Sequence, residues 1–170
     1  MTIERLDCVE IESWNELDIG DEFEVAGVPF VVIGRTGDTV TIQQHRMIEY
    51  GVFDHDGCNK YRKSDIKEYL ETTYEAKFPE DFISMMNGGH FFLLSEDDVT
   101  PGKTQYPYYE NLENRTKYDC KGYVAWWWTS TPHVGIGNTV RLINPSGYVS
   151  YNYAYSSYGV APACVLHLTS

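Results

Sequence analysis

The stretch Thr139-Val140-Arg141-Leu142-Ile143-Asn144-Pro145-Ser146-Gly147-Tyr148-Val149-Ser150-Tyr151 reads as two short β-strands around a turn. Residues 139–143 and 147–151 are rich in β-branched and aromatic side chains, and Asn144-Pro145-Ser146-Gly147 between them is turn chemistry. A further strand is expected at residues 163–168. Upstream, residues 123–130 hold Trp126, Trp127 and Trp128. On a strand, alternate side chains face opposite ways, so Trp126 and Trp128 share one face and Trp127 takes the other. Either two of them anchor the core or the three form an aromatic binding platform.

Toward the N-terminus the pattern changes. Phe23 and Val25, then residues 28–33, then Val40 and Ile42 are short β-branched runs separated by Gly27-Val28-Pro29 and Thr36-Gly37-Asp38, which suggests a meander. Residues 63–78 place Ile66, Tyr69, Leu70, Tyr74 and Phe78 at helical spacing, with Ser64 as N-cap, and the stripe reads as core packing. Pro79 opens a second short helix that Asn87-Gly88-Gly89 ends. Residues 91–94 read as a short buried strand. The polar, Tyr- and Pro-containing stretch at residues 100–122 is long for a loop in a compact domain. Strands, two helices and strands again, without βαβ alternation, predict an α+β domain with mainly antiparallel short strands. Residues 1–18 are expected to be a detachable extension, and residues 19–170 a single domain.

Charge narrows the function. The chain has 170 residues and a net charge of −12, which repels nucleic-acid backbones and anionic membranes. No apolar run approaches a bilayer-spanning helix, and the acidic N-terminus shows no signal peptide, so a cytoplasmic or virion-borne protein is expected, open to surface display. Cys8, Cys58, Cys120 and Cys164 are widely spaced and read as free thiols rather than a zinc or redox motif. His45, His55, His90, His133 and His167 are scattered, without a metal-binding or catalytic spacing. Asp54-His55-Asp56-Gly57-Cys58 reads as a turn, because Lys60 and Arg62 spoil a calcium loop; a Cys58 nucleophile has no visible partner. Neither an enzyme, nor a metal site, nor a cofactor is expected.

The tail carries the functional signal. Tyr148, Ser150, Tyr151, Asn152, Tyr153, Tyr155, Ser156, Ser157 and Tyr158 fall within one short stretch. Tyr supplies large contact area at low entropy cost, and Ser and Asn add adaptable hydrogen bonds, as in antibody paratopes. By composition alone, a Tyr-heavy low-complexity strand is the equal alternative. Residues 133–170 also lack Lys, Glu, Gln, Met and Trp, which supply 32 of the first 132 residues.

These features resemble the variable proteins of diversity-generating retroelements. The resemblance rests on residues 140–149, on Gly159-Val160-Ala161-Pro162-Ala163, and on Trp127-Trp128-Thr129-Ser130-Thr131-Pro132. In that family, adenines of AAC-type template codons are randomised. The product codons end in C and cannot encode the five missing residue types. Ile19-Gly20-Asp21, the helix at residues 66–78 and Phe92-Leu93-Leu94-Ser95 resemble uncharacterised domains of gut bacteria and their phages. The resemblance implies a C-type lectin-like fold. It implies no lectin calcium site, because the Glu-Pro-Asn and Trp-Asn-Asp motifs are absent, and no oxidase chemistry, because there is no close cysteine pair.

The expected function is therefore a ligand-binding protein with a variable region at about residues 133–158, directed at a protein or glycan. The expected variable positions are His133, Ile136, Asn138, Thr139, Leu142, Ile143, Tyr148, Ser150, Tyr151, Asn152, Tyr153, Tyr155, Ser156 and Tyr158. Leu142 and Ile143 read equally well as core. Tyr148, Tyr151, Tyr153, Tyr155 and Tyr158 are the expected energetic anchors. The alternative is a non-diversified structural or adhesin module of a phage or bacterial surface.

Overall fold

A computed structural model describes residues 14–168 and the backbone of Glu4–Arg5. Two five-stranded sheets and a two-stranded ribbon organise the chain. The first sheet has the order β1-β2-β3-β4-β12, built from β1 (Glu4–Arg5), β2 (Glu22–Val25), β3 (Val28–Thr36), β4 (Thr39–Gln44) and β12 (Ala163–His167). The second has the order β10-β9-β8-β11-β5, built from β5 (Glu49–Val52), β8 (Trp127–Pro132), β9 (Thr139–Ile143), β10 (Val149–Tyr153) and β11 (Ser157–Val160). The ribbon pairs β6 (Lys117–Tyr118) with β7 (Val124–Ala125). All ladders are antiparallel except the contact of β11 with β8.

This corrects the expected α+β fold of C-type lectin type, with two helices and short strands. The chain is mainly β, and the helical parts are short. Helix α1 (Asp65–Tyr69) continues as a π turn at Leu70–Tyr74 and a 3-10 turn at Glu75–Lys77; helix α2 covers Glu80–Ser84. The spacing of Ile66, Leu70 and Tyr74 does bury one stripe, and Ser64 does cap, accepting from the Lys67 N–H at 3.3 Å. Period alone does not separate an α-helix from a π-interrupted one, and Pro79 forces a new start before the helix can lengthen. Meanwhile the β-branched run of β3 extends to nine residues.

Strands β3 and β9 are covered on both faces, so their interiors read as continuous apolar runs rather than alternation. Phe30 and Val32 on β3, with Trp128, Val140 and Leu142 on the second sheet, meet Ile66, Leu70, Tyr74 and Phe82 in one core. Val31, Ile33, Trp127 and Ile143, on the opposite faces, meet Leu94, Val99 and Tyr109 in another. Here the long stretch at residues 100–122 finds its role: 3-10 turns at Pro107–Glu110 and Leu112–Arg115 press Tyr109 into the second core. The expected strand at residues 91–94 is reduced to a single bridge, Phe92 to Ala163.

Of the expected extension, residues 14–18 are described in full. Trp14 packs edge-on against Phe23 with ring centroids 5.4 Å apart, and Leu17 is fully buried. Residues 1–3 and 6–13 of that extension, including Cys8, lie outside the described residues. Cys58, Cys120 and Cys164 carry free thiols. Among the described residues, no helix is long and apolar enough to cross a membrane.

Candidate functional site

The β9–β10 hairpin places the Tyr-rich segment at one edge of the second sheet. Its turn is fixed by Asn144, whose Oδ1 accepts from the N–H groups of Ser146 and Tyr148, each at 3.0 Å. Gly147 has φ +85°, and a Cβ there would lie 3.3 Å from the Leu112 carbonyl oxygen, so both backbone and space require glycine. The Arg115 guanidinium donates to the Gly147 carbonyl at 2.9 Å from below.

Register then sorts the side chains. Tyr151 and Tyr153 stand opposite Arg141 and Thr139, while Ser150 and Asn152 stand opposite Leu142 and Val140. The His133 ring stacks on Tyr151 at 4.1 Å, and the Arg141 guanidinium lies 5.7 Å from the same ring. Tyr153 and Tyr155 stack at 5.1 Å with planes only 5° apart. Tyr148, Tyr151, Tyr153 and Tyr155 are exposed by 59%, 50%, 46% and 50%, which makes their rings available for contact. Ile136 and Asn138 are exposed in the adjoining loop.

The fourteen expected positions therefore do not behave alike. Ile136, Asn138, Tyr148, Tyr151, Tyr153 and Tyr155 are exposed; His133, Ser150, Asn152, Ser156 and Tyr158 are half-buried. Thr139, Leu142 and Ile143 are corrected to interior positions, at 4%, 0% and 0% exposure. Leu142 packs in one core and Ile143 in the other, and Thr139 Oγ1 lies 2.9 Å from the His133 ring. Tyr158 also separates from the other anchors: its ring sits 5.8 Å from Trp126 and 5.2 Å from Trp128, and its hydroxyl accepts from the Asn152 amide. Trp127 and Trp128 are fully buried, and Trp126 is half-buried, so no three-ring platform exists.

The exposed aromatic surface is held by residues that composition did not single out. The Asn59 amide donates to the carbonyls of Ile136 and Thr139 at 3.1 and 3.2 Å, tying down the loop at residues 133–138. Ala154 is buried; its carbonyl accepts from Phe53 and Asp54, and its N–H donates to Asn138 at 2.8 Å. Asp54, in the Asp-rich turn, accepts from the N–H groups of Cys58 and Asp65. That turn is thus a buttress, and Tyr155 rests on it, 3.5 Å from where a Gly57 Cβ would stand. The one sequence signal for Asn59 was its place directly after the dense polar cluster.

Titratable groups elsewhere are structural. Lys117 is fully buried, donates to the Tyr109 hydroxyl at 2.7 Å, and lies 5.1 to 5.8 Å from the rings of Tyr108, Tyr109 and Trp127. Burial pulls its ammonium down to about 7, but no solvent path lets a substrate reach it. Burial, then Lys117 and Arg46, lower His45 to about 3, outweighing the Glu22 carboxylate at 3.3 Å. The His55 backbone N–H and ring both hydrogen-bond Asp65 and lower its carboxyl below the usual value. Among the described residues, no three His, Cys, Asp or Glu side chains converge on a metal-sized site.

Residues 88–168 match a family described only as a domain of unknown function, DUF6273. The matched segment takes in the whole candidate surface but not Asn59 or the Asp54 turn. No curated protein and no solved structure matches the chain.

Proposed function

We propose that the protein is a ligand-binding module that presents the His133–Tyr151–Tyr153–Tyr155 surface to a protein or glycan, and that a retroelement diversifies this surface. The observation that carries the reading is the combination of exposed rings with a pinned backbone. The rings stack on one another, and the loops beneath them are held by Asn59, Ala154 and Asn144. A preordered aromatic surface loses little freedom on binding, so more of its contact energy appears as affinity. Aromatic pairs of this kind add about 0.5–1.5 kcal/mol beyond area burial.

Diversification by substitution also suits the geometry. Eleven of the fourteen positions are exposed or half-buried on a fixed frame, and all of them but Tyr158, which packs on Trp126 and Trp128, lie away from the core. The test has two arms. A library with C-ending random codons at the ten positions other than Tyr158 is expected to remain folded in most members and to yield binders to unrelated targets. In the natural locus, a near-repeat of residues 133–158 with AAC at these codons should lie beside a reverse transcriptase gene. A locus with neither, together with an invariant tail in close relatives, would overturn diversification and leave a fixed adhesin or structural module.

A further inference from the structure

The sheet that carries the aromatic surface has a second edge, β5, on its far side. Among the described residues, β11 is the one strand that pairs with β5. Gly159 on β11 donates its N–H to Trp126, away from β5, so the hydrogen-bonded pairs are Gly51 with Tyr158 and Glu49 with Val160. The N–H and C=O groups of Tyr50 and Val52 consequently point outward. This outward row begins at Ile48, where it is still occupied: the Ile48 N–H donates to the Tyr118 carbonyl at 3.0 Å. The turn at residues 119–123 then takes that neighbouring chain away. Past it, among the described residues, no hydrogen bond occupies the outward groups of Tyr50 and Val52.

A free strand edge is a template for another strand, and proteins commonly blunt it with Lys, Pro or a bulge. β5 reads Glu-Tyr-Gly-Val and carries none of these. Instead a groove of about 530 Å³ lies beside it. Val28, Pro29, Met47, Ile66, Tyr69 and Tyr74 give it apolar walls. It reaches from Met47 and Cys120, where the row becomes free, to His55 past the strand's other end. The rim is acidic: Glu49 and Asp65 line it, and Asp119 is anchored beside it by the Tyr50 hydroxyl at 2.6 Å. The one lysine in the lining, Lys77, is 3.6 Å from Glu49.

We infer that β5 and this groove take an extended segment of a partner protein as an added strand, with apolar side chains at alternate positions and a flanking Lys or Arg. Main-chain groups of Tyr50 and Val52 supply the pairing, the groove takes every second side chain, and the acidic rim selects the charge. This site is separate from the aromatic surface and stands or falls without it.

Eight-residue peptides displayed on phage, selected against the full chain and then titrated as free synthetic peptides, test the inference. Enriched peptides are expected to alternate apolar and polar residues around a basic one. Val52→Pro removes only an outward N–H, a place where an edge strand tolerates proline. It is expected to weaken the peptides at least tenfold. In the unmodified protein, hydrogen exchange of the Tyr50 and Val52 amides is expected to slow on peptide addition, which decides the matter even if the proline variant does not fold. Unchanged exchange, binding lost with Tyr151→Ala instead, or no enriched peptide would each overturn the added-strand site.

Discussion

At Asn59 a single side-chain amide restrains two carbonyls, of Ile136 and Thr139, at the two sides of an exposed loop end. Asn59→Ala leaves both carbonyls to find water, and each bond contributes about 0.5–1.5 kcal/mol. The expected result is a loss of about 1–2 kcal/mol in chemical denaturation, with faster amide exchange confined to residues 133–139. Gly159 is more severe. A Cβ there would stand 2.4 Å from the Trp126 carbonyl oxygen, where β11 and β8 approach. Gly159→Ala must push two strands apart, and a cost of at least about 3 kcal/mol is expected in the same measurement.

Within one hairpin the two faces answer differently to substitution. Leu142→Ala in β9 empties a fully buried site and is expected to cost about 2–5 kcal/mol. Tyr151→Ala in β10 removes a half-exposed ring and is expected to stay within about 1.5 kcal/mol, the worth of its stacking on His133. Paired thermal melts of the two variants check the contrast; equal losses would mean that Tyr151 is a core residue. The sequence allowed the strand at residues 139–143, the turn at Asn144 and the Tyr-rich edge to be read, because those signals are local. It did not show that Leu142 and Ile143 both point inward, since a strand buried on both faces shows no alternation. Nor did it show that Tyr158 turns away from Tyr155: that depends on β11 pairing with β5, more than a hundred residues upstream. The fold class was missed for the same reason. The helical stripe at residues 66–78 is visible locally, whereas the joining of β4 to β12 is not.

For the molecule as a whole, two buried bases set the response to pH. His45 titrates near 3 in the fold against 6.5 in the open chain, so the unfolded state binds the extra proton between those values. Its contribution is complete above about pH 6.5 and is lost as pH falls toward 3. Lys117 titrates near 7 in the fold against 10.5 unfolded, so stability rises with pH across that interval. Denaturant midpoints are therefore expected to climb from pH 4.5 through 6.5 to 8.5. His45→Asn is expected to flatten the lower step and leave the upper one, and an unchanged lower step would show that His45 does not set it.

Strand β12 zips onto β4 and completes the first sheet only after residues 133–158 have been made. During synthesis the core that β12 seals, with Cys164 and Leu166 among its residues, must stay open until the ribosome has passed the hairpin and β11. A frameshift or premature stop anywhere in residues 133–158 deletes this closing strand and bares the β4 edge. The order of strands thus makes closure of the first sheet a report on reading frame: only a chain translated in frame through residues 133–158 carries the strand that seals it.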